Sequence, residues 1–246
     1  MEMLEIMTAD SAAEAWVVRP AGDGAHPGVL FIMDAFGLRS QIAAMMERIA
    51  SWGYVVLAPN IFHRAGTIAE LAPTTDLRAP GALEAYFAVV RPRLQSLSTD
   101  AVRADLGAYV AALQGLGGVR PGPLGVTGYC LGARLALVTA CAYADSIAAV
   151  GGWHGGGLAT EDPSSPHLGL GSARAAFAFG HATNDQSMPP EAVGRLGAAL
   201  ERARLRHSNE VFPGAHGYTM ADTSVYSAEA DALHWERLEA LLEENL

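Results

Sequence analysis

Cysteine is scarce in this chain, which has only Cys130 and Cys141 among its 246 residues. On one helix these two would stand about 16 Å apart along the axis, at 1.5 Å per residue, whereas a disulfide needs Cα atoms within about 7 Å. Both thiols are expected to be free, as in a reducing compartment. No Cys/His spacing suited to a metal ion is present. Positive charge is also short, with 16 basic against 26 acidic side chains and a net charge of −10. That balance argues against nucleic acid or an anionic membrane as the main partner and favours a small molecule. Long apolar runs are missing too: none approaches the roughly 20 residues that span a bilayer. The opening MEMLEIMTADSAAEAW is acidic where a signal peptide is basic and then apolar. A cytoplasmic protein is expected. Repeats, low-complexity tracts and linkers are absent, and 246 residues, half of them apolar, suit one core. A single domain over residues 1–246 is therefore expected.

What the sequence does contain is alternation. Strand-like runs AEAWVVRP, PGVLFIMDA, YVVLAPN, PLGVTGY, SIAAVGGWH, ARAAFAFGH and NEVFPGA are separated by helical periodicity. The helical stretches are QIAAMMERIASW, Thr99 to Leu116, Leu131 to Tyr143, Pro189 to Leu205 and about Ser227 to Leu242. Strand and helix in turn predict βαβ units, an α/β fold with a mostly parallel central sheet flanked by helices on both faces. Residues 62–97 break the alternation and carry Pro73, Pro80 and Pro92. They are read as either a cap over the site or a surface excursion.

The stretch 124-LGVTGYCLGARLALVTA-140 puts Cys130 where a buried strand turns into a helix. A nucleophile at such a turn sits in strained backbone, and its neighbours two residues away must be tiny. Gly128 and Gly132 meet that need. The helix N-terminus would also favour a thiolate. The competing reading is a structural cysteine beside packing glycines. Downstream loops decide between them: Asp185 in 182-ATNDQSMPPE-191 and His216 in 212-FPGAHGYTM-220 each follow a strand, where parallel sheets carry their functional groups. Nucleophile, acid and histidine in that order, 55 and 31 residues apart, follow the α/β-hydrolase chain order.

GYCLGAR, MDAFGLR with ERIASWGYVVLAPNIF, GHATNDQSMPPE and PGAHGY together resemble the dienelactone hydrolases, α/β-hydrolases that use cysteine in place of serine. The resemblance implies Cys130 as nucleophile, His216 as base and Asp185 as the carboxylate orienting His216. The oxyanion formed on attack needs two N–H donors, for which the backbone amides of Leu131 and Ala35 are the candidates. Asp34 stands where the family has a glutamate thought to hold the thiol proton; the alternative is a local turn cap. Phe36 and Trp153 are candidate pocket walls, His154 a candidate lining residue, and His181 a candidate partner for Asp185. Tyr86 resembles a substrate-contacting tyrosine of the family. The remaining histidines and Cys141 read as surface or packing residues.

The family's two carboxylate-gripping arginines correspond here to Met220 and Ala82, so a neutral or differently charged ester or lactone enters consideration; Arg39, Arg78, Arg91 and Arg93 are the other cations considered. The expected function is a cofactor-independent hydrolase of a small ester or lactone, acting through a cysteine acyl-enzyme with a Cys-His-Asp triad. Alternatives are a thioesterase on the same triad, or a quiet ligand-binding member of the fold. The sequence leaves the oligomeric state open.

Overall fold

The computed structural model describes residues 1–246, apart from the side chain of Thr99. Eight strands form one sheet: β1 (Glu2–Met7), β2 (Ala12–Val18), β3 (Gly28–Ile32), β4 (Val55–Pro59), β5 (Leu124–Tyr129), β6 (Ile147–Trp153), β7 (Ala176–Ala182) and β8 (His207–Phe212). Their spatial order is β1-β2-β4-β3-β5-β6-β7-β8. Strands β1 and β2 pair antiparallel, as do β2 and β4. From β4 across to β8 every pairing is parallel. The expected α/β class and mostly parallel sheet are what the chain adopts.

The helices are α1 (Ser40–Ser51), α2 (Ile68–Leu71), α3 (Ala82–Gln95), α4 (Thr99–Gly115), α5 (Leu131–Ala142), α6 (Pro190–Arg202) and α7 (Ala228–Asn245), with a 3₁₀ turn at Pro166–Ser172. They cover both faces of the sheet, because successive strand residues point to opposite sides. On β6, Gly151 faces Leu238 of α7 and its neighbour Gly152 faces Ala133 of α5. On one face Trp52, at the end of α1, meets Trp235 of α7 edge-on with ring centroids 5.6 Å apart. Strands β3 and β5 are buried along their whole length, which is why they read as unbroken apolar runs rather than alternating ones. No helix among the described residues is long and apolar enough to cross a membrane.

Two parts of the fold have no counterpart in the sequence expectations. Strand β1 is an edge strand in which only Ile6 is buried, so its alternation is too weak to stand out. Residues 62–97 contain α2 and α3. The latter runs through Pro92 and fully buries Val90 alone, so its 3.6-residue period is too weak to stand out.

The turn from β5 into α5 depends on close approach. Cys130, the residue before α5, has φ 55° and ψ −112°, a conformation that costs an L-residue about 1–3 kcal/mol. A Cβ on Gly128 would overlap the carbonyl of Gly132, and one on Gly132 would overlap the carbonyls of Ile32 and Met33. Because backbone must move to relieve either clash, Gly128→Ala and Gly132→Ala should each lower stability by about 2–3 kcal/mol in urea unfolding. Gly194→Ala on α6, where a Cβ meets open space, should instead add up to about 1 kcal/mol. Wild-type stability for Gly132→Ala would mean that the helix is not pressed against β3.

Candidate active site

The carboxyl edge of the sheet brings Cys130, Asp185 and His216 together from three separate loops. His216 Nε2 lies 3.0 Å from Cys130 Sγ, and its Nδ1 lies 2.6 Å from Asp185 Oδ2. Asp185 is held in turn by Ser187, whose backbone N–H and hydroxyl donate to Oδ1 at 2.8 and 2.6 Å. Burial alone would push the His216 imidazole down, but the nearby Cys130 sulfur and the Asp185 carboxylate outweigh it and hold the ring up at about 10. Asp185 shifts the opposite way: burial opposes its charge, yet His216 and the two Ser187 donors keep the carboxyl below its ordinary range. The arrangement can therefore carry a proton between sulfur and imidazole while the carboxylate fixes the ring.

Leu131 and Ala35 lie beside Cys130 in the wall of one cavity. Leu131 is the first residue of α5, so its N–H has no acceptor within the helix. Ala35 follows β3 in the loop 33–39, which Asp34 shapes by accepting from the Phe36 N–H at 3.0 Å.

Asp34 is buried and engaged by Arg39, whose two terminal nitrogens reach its carboxylate at 2.7 and 3.0 Å. Arg39 Nε also donates to Asp222 at 2.6 Å. Burial works against the Arg39 charge, but the two carboxylates raise its basicity above that of a free guanidinium. With its side chain only 5% exposed and its nitrogens committed, Arg39 is not free to grip a substrate carboxylate.

A cavity of about 370 Å³ opens at the thiol, with Asp34, Ala35, Phe36, His154 and Met220 in its wall. Phe36 and His154 are thus where the sequence places them. His154 is buried and donates or accepts at Thr219 Oγ1, 2.8 Å away. Burial, with His216 and His234 nearby, holds it well below the usual histidine range, so it stays neutral. Tyr86 and Trp153 do not reach the wall, which corrects the expectation for both. The Tyr86 hydroxyl turns to the Leu71 carbonyl at 2.8 Å, and Phe87, the next residue, lines the cavity instead. Trp153 is fully buried and donates its indole N–H to Thr127 at 3.0 Å, because its position on β6 points into the sheet's other face. His181 pairs with Asn209 at 2.7 Å; Ser187 takes the place at Asp185 expected of it. The spacing Asp-x-Ser in NDQS is the side-chain turn signature that could have revealed Ser187. Asp222 carries no local signal.

Residues 13–246 match the family model described as "Dienelactone hydrolase family". Among curated relatives, a "Putative carboxymethylenebutenolidase" of Synechocystis is 27% identical, covering 94% of this chain and 91% of its own length. A protein of the same name from Salmonella typhi is 30% identical over 91% of this chain and 80% of its own. In fold, the crystal structure of a "Putative Dienelactone Hydrolase" from Klebsiella pneumoniae superposes with a TM-score of 0.82 over 99% of this chain and 98% of that one, at 21% identity. An acylaminoacyl peptidase of Pyrococcus horikoshii shares the fold across 100% of this chain and 41% of its own, with a TM-score of 0.67 and 14% identity. With the family's pattern running from Ala13 to the last residue, the chain belongs to the dienelactone hydrolase family and is a hydrolase of the α/β-hydrolase fold.

Proposed function

We propose that the chain is a carboxylic ester hydrolase that cleaves a small ester or lactone through an acyl-enzyme on Cys130. The observation that carries this reading is the 3.0 Å approach of His216 Nε2 to Cys130 Sγ, with Asp185 on the ring's other nitrogen. Sγ attacks the ester carbonyl carbon, and the negative charge that builds on its oxygen is met by the N–H groups of Leu131 and Ala35. As the tetrahedral carbon collapses, the His216 proton passes to the departing alkoxide and leaves a thioester. Water then gives a proton to His216 and attacks the thioester carbon, and the released sulfur restores the starting pair.

The substrate is a neutral ester in this reading. Met220 and Ala82 stand at the two places where the resemblance would put arginines, and Met220 lines the cavity. Arg39 is consumed by Asp34 and Asp222. Residues 62–97 serve as the cap, with α3 laid over the thiol.

Against a panel of aryl esters, lactones and acyl thioesters, Cys130→Ala and His216→Ala should each abolish nearly all turnover with the fold intact by circular dichroism. Asp185→Asn should keep about a hundredfold more activity than either, because nucleophile and base remain and only the ring loses its orientation. Wild-type rates in His216→Ala would send the search for a base elsewhere, first to His154.

The two thiols should also differ in reactivity. Burial pushes the Cys141 thiol up to about 11, leaving about one part in ten thousand as thiolate at pH 7, and only thiolate alkylates readily. Iodoacetamide should modify Cys130 first, with activity lost in step with one alkylation per chain by mass spectrometry. Labelling of Cys141 with activity unchanged would remove Cys130 from the mechanism.

A further inference from the structure

The thiol opens on two cavities rather than one. Beside the cavity of about 370 Å³ lies a second of about 540 Å³, and Ala35, Phe87, Cys130 and His216 belong to the walls of both. Helix α3 spans the pair. Leu83, Phe87 and Arg91, spaced by four, lie on one stripe and face the first cavity, whereas Leu94 faces the second. From Leu83 to Leu94 the helix advances about 16 Å, and Phe87 lines both cavities between them. Its ring sits edge-on to Phe36 at 6.5 Å.

Both cavities are apolar away from the reacting groups. The first is walled by Phe36, Leu83, Met220 and Val225, the second by Leu94, Leu97, Val102 and Leu135. Of the charged groups in the walls, Asp34 and Asp185 are paired, and Glu84, Arg91 and Arg134 are exposed. Each cavity has a volume suited to a ligand or a large part of one. A five-membered lactone holds its acyl carbon and its alkoxy oxygen in one small ring, so it fills part of one cavity and leaves the other empty. An open-chain ester has two independent arms. Its acyl arm stays on sulfur through the first step while its alcohol departs, so two separate spaces meeting at the thiol suit it.

We infer that the site is built for open-chain esters whose acyl and alcohol arms occupy different cavities, one on each side of Phe87, with the carbonyl over Cys130. This rests on the ester-hydrolase reading above and narrows its substrate class.

Two series of esters test it by kcat/KM from proton release, one lengthening the acyl chain over a methyl alcohol, the other lengthening the alcohol over an acetyl group. In the wild type, both should gain about fourfold per methylene until the arm is filled, the worth of one buried CH₂. Leu83→Trp should flatten the length dependence of one series and Leu97→Trp that of the other. Only the ratio of long to short ester within each variant is read, so a partial folding defect cancels. Length dependence confined to one arm, the same series flattened by both variants, or a γ-lactone turned over faster than the long esters would each overturn the two-cavity assignment. Turnover that survives Cys130→Ala would overturn the acyl-enzyme instead, leaving the length dependence to judge the cavities. No turnover of any ester would overturn both.

Discussion

Helix α5 lies so close to strands β3 and β5 that no side chain fits at Gly128 or Gly132, and the geometry around the thiol follows from that contact. The same approach does two things at once. It bends Cys130 into a backbone that ordinary packing would not produce, with φ 55°, lifting Sγ off the sheet edge. It also presses the start of α5 against the carbonyls of Ile32 and Met33, where β3 passes into the loop that carries Ala35. The start of α5 at Leu131 and the loop that carries Ala35 therefore lie side by side as a consequence of one packing contact.

Arg39 joins the parts of the site that this contact does not reach. Its partners Asp34 and Asp222 lie in the loop after β3 and in the loop beyond His216, so one buried guanidinium fastens the loop of Ala35 to the loop of His216. Burying an arginine is costly when it is unpaired, and here two carboxylates and the Gly37 carbonyl satisfy it. On the opposite side Ser187 holds Asp185, and Asp185 holds His216. The imidazole is thereby steered by a carboxylate on one loop and by a cation-centred cluster behind the next.

The sequence disclosed those features whose cause is local. Central strands showed as apolar runs, Gly128 and Gly132 showed as small residues flanking a turn, and Asp185 and His216 showed because each follows a strand. The α6 start showed through Pro189 and Pro190. Features whose cause is distant stayed hidden. Nothing near Asp222 announces a partner 183 residues away, and Trp153 reads like a pocket wall until the sheet's alternation turns it inward. Tyr86 and Phe87 are neighbours with opposite fates, and only the rotation of α3 decides which one meets the cavity. That rotation is unreadable from a helix whose sole fully buried side chain is Val90.

Helix α3 lines both cavities and is held by few groups. Val90 is its one fully buried side chain, Leu94 packs against the core, Tyr86 and Phe87 meet the Phe36 ring, and Tyr86 and Arg93 both donate to the Leu71 carbonyl. On the ester-hydrolase reading, substrate choice rests on this one helix while the reacting groups rest on the sheet edge, so a lineage could acquire a new diet by changes along α3 alone.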